Sequence, residues 1–204
     1  MIAIIDYGVG NLFSLKSSLN MIGADALVTS DAKIIKDADR ILLPGVGAFE
    51  DAAKKLCESG LGEIVKEEAK KGKPLLGICL GMQMLFEKSF EYGEHEGLGL
   101  IDGEIRPISD VIPNDLKVPH IGWNALRFRN ESKLFKYIKD GDFVYFVHSY
   151  YAKTSGKNVI ATSEYGADLT AAVANDNVFG CQFHPEKSGD VGLNILRAFC
   201  EMEA

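Results

Sequence analysis

The sequence lacks the features that mark membrane, secreted and metal-binding proteins. No apolar run is long enough to cross a bilayer, and no basic segment followed by an apolar stretch marks a signal peptide. The four cysteines form no C-x-x-C pair, so neither a zinc site nor a thioredoxin-like site is predicted; they are Cys57, Cys79, Cys181 and Cys200. We therefore expect a cytoplasmic protein that holds no metal and no cofactor.

Basic residues are also scarce. The chain has 22 Lys and Arg against 29 Asp and Glu, and its net charge of −7 argues against a nucleic-acid partner and against an anionic membrane surface. What the chain has in quantity is apolar sequence. Of its 204 residues 47% are hydrophobic, which is enough for one sizeable core, so we expect a single domain over residues 1–204.

The first half alternates short apolar runs with helical periodicity. Ile2 to Ile5 is a continuous apolar run, as expected of a strand buried on both faces of a parallel sheet. After Gly10, apolar residues recur at spacings of three or four from Leu12 to Ile22, which predicts a helix. Further strands are predicted at 26–29, 40–43 and 75–78, and further helices at 50–57, 61–71 and 80–87.

The second half is rich in β structure. Strands are predicted at 100–106, 121–128, 142–148, 158–164, 170–175 and 178–183, and a final helix at about 190–202. Asn175-Asp176-Asn177 between two apolar runs is typical of a hairpin turn, and the acidic stretch from Glu87 to Glu96 is interpreted as a solvated loop. The pattern indicates a doubly wound α/β core followed by an antiparallel or mixed section in the same domain.

The segment around Cys79 carries the clearest chemical signal. Gly77-Ile78-Cys79-Leu80-Gly81 has the form G-x-C-x-G between a predicted strand and a predicted helix, which is similar to the nucleophile elbow of α/β-hydrolases. Gly77 and Gly81 would leave room for a tight turn, and the helix N-terminus would stabilise the thiolate. The other three cysteines lack such a setting and are assigned to packing.

A nucleophilic cysteine needs a base and a group that orients the base. His184 follows the apolar run 178–183, at the strand edge where α/β proteins place active sites, and Glu186 can turn back to its ring. His148 also ends a strand-like run and is a second candidate for the base. The H-P-E tripeptide favours His184.

These residues together resemble a known family. Gly77-Ile78-Cys79-Leu80-Gly81-Met82-Gln83 with His184-Pro185-Glu186 is similar to the class I, or triad, glutamine amidotransferases, and the resemblance covers essentially the whole chain. Segments 6–12, 43–49, 120–124, 147–150 and 184–189 resemble, within that class, the glutaminase subunits of imidazole glycerol phosphate synthases. The resemblance implies a flavodoxin-like three-layer α/β sandwich with a mixed, mostly parallel central sheet.

The resemblance also implies roles for single residues. Cys79, His184 and Glu186 would form the catalytic triad. The oxyanion hole would use Val46, Gly47 and Leu80, and the glycines beside Val46 would let its peptide plane reorient. L-Glutamine would be bound by a further set of residues, namely Gln83, Glu91, His148, Ser149 and Tyr150.

The same resemblance implies a partner. Ammonia would pass to a (β/α)8 cyclase subunit in a heterodimer, and the contact would involve Val9, Gly10, Asn11, Trp123 and Lys187. Trp123 is the preferred anchor because large aromatic side chains dominate interface energetics, although the only tryptophan of a chain can equally pack in its core.

Three alternatives stay open at this point. The chain could serve another synthase, such as that of pyridoxal phosphate or anthranilate. It could be a partner-independent peptidase or γ-glutamyl hydrolase, or a domain that has lost catalysis. The sequence around Trp123 and around Lys187 argues against service to another synthase, and the intact triad argues against a domain that has lost catalysis.

Overall fold

The computed structural model describes residues 1–203. Its strands are β1 (Ile2–Ile5), β2 (Ala26–Thr29), β3 (Arg40–Gly45), β4 (Leu75–Cys79), β5 (Phe86–Ser89), β6 (His95–Glu96), β7 (Ile101–Pro107), β8 (His120–Ala125), β9 (Arg127–Phe128), β10 (Phe143–His148), β11 (Tyr150–Lys153), β12 (Val159–Glu164), β13 (Asp168–Asn175) and β14 (Val178–Cys181). Its α-helices are α1 (Leu12–Met21), α2 (Ala32–Asp37), α3 (Phe49–Glu58), α4 (Leu61–Lys70), α5 (Leu80–Gln83) and α6 (Gly189–Cys200). Within residues 1–203, none of these helices has the length and apolar character needed to span a membrane.

The central sheet is mixed, with a parallel part and an antiparallel part. Its order is β2-β1-β3-β4-β14-β13-β12-β9; the first five strands pair in parallel, and the last three are antiparallel. Strand β14 comes from the end of the sequence yet inserts beside β4. The predicted mixed, mostly parallel sheet is therefore confirmed.

Helices cover both faces of this sheet, and the alternation of β1 shows why its sequence is apolar throughout. Ile2 and Ile4 pack into the core on the side of α1 and α6, whereas Ala3 and Ile5 pack into the core on the side of α2, α3 and α4. A strand buried on both faces has no polar side to expose. The result is the predicted three-layer arrangement.

The predicted helix over 80–87 is wrong in its second half. Helix α5 ends at Gln83, and Phe86–Ser89 forms β5, which pairs in parallel with β7 in a second sheet of order β11-β7-β5-β6. The residues from Leu80 to Phe86 are all buried, so no polar side marks a helical period or its end. The stretch read as a solvated loop, Glu87 to Glu96, accordingly includes most of β5 and all of β6.

The predicted strand over 121–128 is divided into β8, which pairs with β10 in a two-stranded sheet, and β9, which ends the central sheet. The remaining differences are additions and shifts of boundaries. Helix α2 was not predicted; its N-cap is Asp31, whose carboxylate accepts the Lys33 N–H at 2.7 Å. Strand β11 was also not predicted. The hairpin at 175–177 is confirmed, since Asn175 pairs with Val178 and Asp176 has φ 52°.

Candidate active site

Cys79 occupies a sharp turn between a strand and a helix. It ends β4, α5 begins at Leu80, and its backbone has φ 55° and ψ −113°. A positive φ is costly for a residue with a side chain, so the surrounding backbone must hold it. A Cβ on Gly77 would lie 2.6 Å from the Gly81 carbonyl oxygen, and one on Gly81 would overlap the Leu43 carbonyl oxygen. The predicted role of both glycines is confirmed.

His184 and Glu186 lie on the turn that follows β14, the parallel neighbour of β4. His184 Nδ1 is 2.8 Å from Glu186 Oε1, and only 3% of each side chain is exposed. Ser188 fixes the turn, because its hydroxyl donates to the His184 carbonyl at 2.6 Å and accepts the Tyr145 N–H at 3.0 Å. The structure thus brings the predicted base and the predicted orienting carboxylate together.

The surroundings of His184 keep its ring charged. Burial lowers the pKa of His184, but hydrogen bonding to Cys79 and Glu186 and the negative charges of the same two groups outweigh burial and raise the pKa to about 9. Near neutral pH the ring is therefore an imidazolium. An imidazolium close to a sulfur atom favours the thiolate, and it can protonate a leaving amine.

The loop that follows β3 lies against the same turn. Gly45 pairs with Cys79 across the sheet, and a Cβ on Gly45 would lie 2.6 Å from the Gly81 backbone nitrogen. The Tyr7 hydroxyl donates to the Pro44 carbonyl at 2.7 Å and so fixes the start of the loop. Gly47 has φ 92°, in the region that favours glycine.

A cavity of about 280 Å³ opens beside the sulfur of Cys79. It is lined by Val46, Gly47, Cys79, Leu80, Gln83, Glu91, Pro119, Val147, His148, Ser149, Tyr150 and His184. Every residue predicted for the oxyanion hole and for glutamine binding is among them. Glu186 lies behind His184, as expected for a group that acts through the ring.

Polar groups are fixed on the wall of this cavity. The Glu91 carboxylate accepts the Phe49 N–H at the start of α3 at 2.6 Å, and burial raises the pKa of Glu91. The Gln83 side-chain amide donates to the Gln182 amide oxygen at 2.9 Å and to the Tyr150 carbonyl at 3.4 Å. The cavity therefore offers an acidic group and amide dipoles to a bound amino acid.

His148 is in a different position from the one expected of a base. Its Nδ1 lies 2.7 Å from the Tyr150 carbonyl oxygen, and its Nε2 lies 3.1 Å from His120 Nδ1. Burial lowers the pKa of His148 to about 4, although the hydrogen bond to Tyr150 opposes this shift. A neutral ring with no carboxylate partner does not compete with His184 for the role of base.

The sequence predictions overlooked several residues that shape the site. Gln182 and Ser188 flank the H-P-E turn, Tyr7 bonds Pro44 near the end of β3, and His120 contacts His148. Of these residues, Gln182 could have been identified from the sequence, because it is the single amide in the apolar run 178–183.

The residues predicted to contact a partner lie on the surface around this edge. Val9, Gly10 and Asn11 are partly exposed just before α1, and Lys187 is exposed after the H-P-E turn. Trp123 is 51% exposed, so the alternative that it packs in the core is wrong.

Comparison with known proteins agrees with this geometry. Residues 3–202 match the family model described as glutamine amidotransferase class-I. The chain is 52% identical over 203 residues to the imidazole glycerol phosphate synthase subunit HisH of Caldanaerobacter subterraneus subsp. tengcongensis, covering 99% of this chain and 98% of that protein. The subunit of the same name from Wolinella succinogenes is 48% identical over 204 residues, covering 99% of this chain and 100% of that protein.

Solved structures are similar in fold at lower identity. A crystal structure titled as a glutamine amidotransferase aligns with a TM-score of 0.75 and 19% identity, covering 98% of this chain and 99% of that one. A chain of the PurLQS structure from Thermotoga maritima aligns with a TM-score of 0.73 and 19% identity, covering 97% and 96%. Fold, family model and full-length relatives agree: the chain belongs to the class I glutamine amidotransferases, in the family of HisH subunits of imidazole glycerol phosphate synthase.

Proposed function

We propose that the chain hydrolyses the side-chain amide of L-glutamine and delivers the ammonia to a cyclase subunit that makes imidazole glycerol phosphate. The observation that carries this proposal is the buried His184–Glu186 pair, whose histidine bonds Cys79 and lines with it a cavity of about 280 Å³. The relatives over nearly the full length of the chain support the choice of pathway. Residues 1–204 would act as one amidotransferase domain in the cytoplasm.

The first half of the reaction forms a thioester. The Cys79 thiolate attacks the glutamine Cδ, and the carbonyl electrons move to the oxygen, which becomes an oxyanion. Backbone N–H groups of Leu80 and of the Val46–Gly47 segment would stabilise it. The His184 imidazolium then gives its proton to the amide nitrogen, the C–N bond breaks, and ammonia leaves.

The second half releases glutamate. The neutral His184 ring takes a proton from water as the water oxygen attacks the thioester carbon. The C–S bond then breaks, and the Cys79 thiolate and the His184 imidazolium are restored. Glu186 stabilises the imidazolium and holds its ring in one orientation throughout, so it never needs to change its own protonation state.

The cavity wall fits the two charged ends of the substrate backbone. The Glu91 carboxylate would bind the α-ammonium group of glutamine. The Ser149–Tyr150 segment would bind the α-carboxylate, with Gln83 and His148 completing the wall. The contacts that fix Glu91 and Gln83 in place support this assignment, because these side chains would need little further ordering on binding.

An exposed apolar face supports a docking site for the partner. On the paired strands β8 and β10, Ile121, Trp123 and Phe143 are exposed, and Val147 of the same pair lines the active-site cavity. A (β/α)8 cyclase seated on this face, on Val9, Gly10 and Asn11 and on Lys187 would cover the mouth of the cavity. Volatile ammonia would then not escape to bulk water.

The test separates ammonia production from ammonia use. In the complex with the cyclase, Cys79→Ala should abolish synthesis from glutamine and retain synthesis from added ammonium salts. Cys57→Ala, which changes an exposed cysteine away from the site, should retain both. Loss of the ammonium-dependent reaction in a folded Cys79→Ala complex would contradict this division of labour. Full glutamine hydrolysis with no need for a cyclase would favour a partner-independent hydrolase.

A further inference from the structure

A buried amide beside the sulfur has no part in the triad described above. Gln182 follows β14, its side chain is 0% exposed, and its Nε2 lies 3.8 Å from Cys79 Sγ. The strand register brings the two residues close together, because Cys181 pairs with Ile78, and Gln182 and Cys79 are the residues that follow this pair. Burial of an amide is costly unless its polar atoms are bonded, so its partners indicate its role.

A chain of hydrogen bonds fixes which end of this amide faces the sulfur. The Tyr150 carbonyl can only accept, so the Gln83 group that faces it at 3.4 Å is the NH2 group. The same Gln83 NH2 group lies 2.9 Å from Gln182, which must therefore present its oxygen to Gln83. Its own NH2 group is left to point at Cys79. A flipped Gln182 would set two NH2 groups against each other.

We propose that Gln182 is a catalytic residue whose amide N–H donates to the Cys79 sulfur and stabilises the thiolate, with Gln83 as the residue that orients it. A donor to the charged form of a group favours that form. This inference rests on the proposed glutaminase function, in which the thiolate is both nucleophile and leaving group.

A neutral donor supplies what the other two sources of stabilisation cannot. Helix α5 has only four residues, so its macrodipole is weak. The His184 imidazolium is strong but loses its proton each time it protonates the leaving amine. Gln182 keeps the same charge and the same hydrogen through both halves of the reaction. It can therefore stabilise negative charge on the sulfur whatever the protonation state of His184.

The experiment measures how the fraction of Cys79 present as thiolate depends on pH. In the isolated chain, the rate at which iodoacetamide alkylates Cys79 is measured from pH 5 to 9 by peptide mass mapping, for wild type, Gln182→Met and Gln182→Glu. Gln182→Met keeps the size and removes the donor, so the midpoint of the rate profile should rise by about one pH unit and the rate at pH values below the wild-type midpoint should fall roughly tenfold. Gln182→Glu adds a negative charge beside the sulfur and should shift the midpoint further in the same direction.

A matched control removes a buried polar contact elsewhere in the same sheet. Ser163 is 2% exposed and donates to the Ala125 carbonyl at 3.1 Å, far from Cys79 in the strand order, so Ser163→Ala should leave the profile unchanged. If the alkylation profile of Gln182→Met is the same as that of wild type, the proposal is overturned. If only Gln182→Glu folds, an unchanged profile in that variant overturns it. Absence of glutamine hydrolysis by the wild-type complex would instead overturn the proposed function, and the alkylation profile would still decide the role of Gln182.

Discussion

The two histidines on the cavity wall are held in opposite charge states. Hydrogen bonds and negative charge outweigh burial and raise the pKa of His184 to about 9, whereas burial lowers the pKa of His148 to about 4. The difference follows from their partners, since His184 faces Glu186 and a sulfur atom, and His148 faces a carbonyl and another histidine. At neutral pH one ring is charged and can act as the proposed general acid, and the other is a neutral part of the wall.

The raised pKa of His184 predicts an alkaline limit to catalysis. Turnover of glutamine by the complex should fall above about pH 9, because the ring loses the proton that the leaving amine requires. Glu186→Gln removes one of the groups that raise this pKa, so it should lower turnover and move the alkaline limb to lower pH. Ammonia release measured from pH 6 to 10.5 tests both. An alkaline limb at the same pH in Glu186→Gln would show that Glu186 does not set this pKa.

The lowered pKa of His148 predicts a loss of stability in acid. Between pH 6.5, where an unfolded histidine takes up its proton, and pH 4, where the folded one does, protonation favours the unfolded chain. Its contribution to the free energy of unfolding should fall by up to about 3 kcal/mol across this window. Urea unfolding of wild type, His148→Gln and the control His95→Gln at pH 7 and pH 4.5 measures it. His148→Gln should lose less stability than the other two, and an equal loss in all three would exclude His148 as the cause.

At the scale of elements, three backbone segments meet with no side chain between them. The end of β3, the end of β4 and the start of α5 approach so closely that Gly45, Gly77 and Gly81 have no room for a Cβ. The contact holds Cys79 at its positive φ. Cys79, the proposed nucleophile, is therefore positioned by backbone packing.

This packing predicts a sharp contrast between two glycines. Gly81→Ala would place a methyl group into the Leu43 carbonyl, so it should lower the free energy of unfolding by at least about 3 kcal/mol. Gly156→Ala is the control, because a Cβ there meets nothing within 4 Å; its effect should stay within about 0.5 kcal/mol. Thermal and urea unfolding compare them. Equal free energies of unfolding for the two variants would mean that the turn at Cys79 can accommodate the methyl group without loss of stability.

The elements that the sequence predicted well are those whose apolar residues are bounded by turn residues or recur at a regular spacing among polar ones. Strands such as β1 are bounded by turn residues and buried on both faces, and α1 repeats its apolar side at helical spacing, so both were located within a few residues. From Leu80 to Phe86 every residue is buried, and no periodicity distinguished α5 from β5. The parts of the site that could be predicted are those that lie in sequence motifs, such as G-x-C-x-G and H-P-E. The contacts of Gln182 and His120 depend on strand register and partner strands, which local sequence does not specify.

At the scale of the whole molecule, the active site and an exposed apolar face lie at neighbouring positions on one pair of strands. In β8 and β10, Tyr145 pairs with Trp123 and Val147 pairs with Ile121, and these side chains share the face opposite the core residue Phe146. Exposed apolar patches beside an active site mark interaction surfaces. A partner docked on this face, as proposed, would therefore reach the wall of the cavity through the strand pair.

The exposed tryptophan predicts a measurable docking signal. Trp123 is the only tryptophan, so the emission of the chain should shift to shorter wavelength when the cyclase covers it. Trp123→Ala should weaken the complex at least about thirtyfold, the range of an interface hot spot. Tyr137→Ala is the control, an exposed aromatic residue that bonds Glu201 beside α6. Calorimetric titration gives both affinities, and full affinity in Trp123→Ala would remove Trp123 from the interface.

The late insertion of β14 between β4 and β13 has a consequence for the order of events during synthesis. Cys79 leaves the ribosome long before His184, and its base, its orienting carboxylate and Gln182 all follow the last parallel strand. A chain completed only as far as β13 carries the thiol without His184, Glu186 and Gln182. We therefore expect the thiol to be activated only once β14 has joined the sheet, so that an unfinished or truncated chain would neither hydrolyse glutamine nor expose an activated thiolate to cellular oxidants.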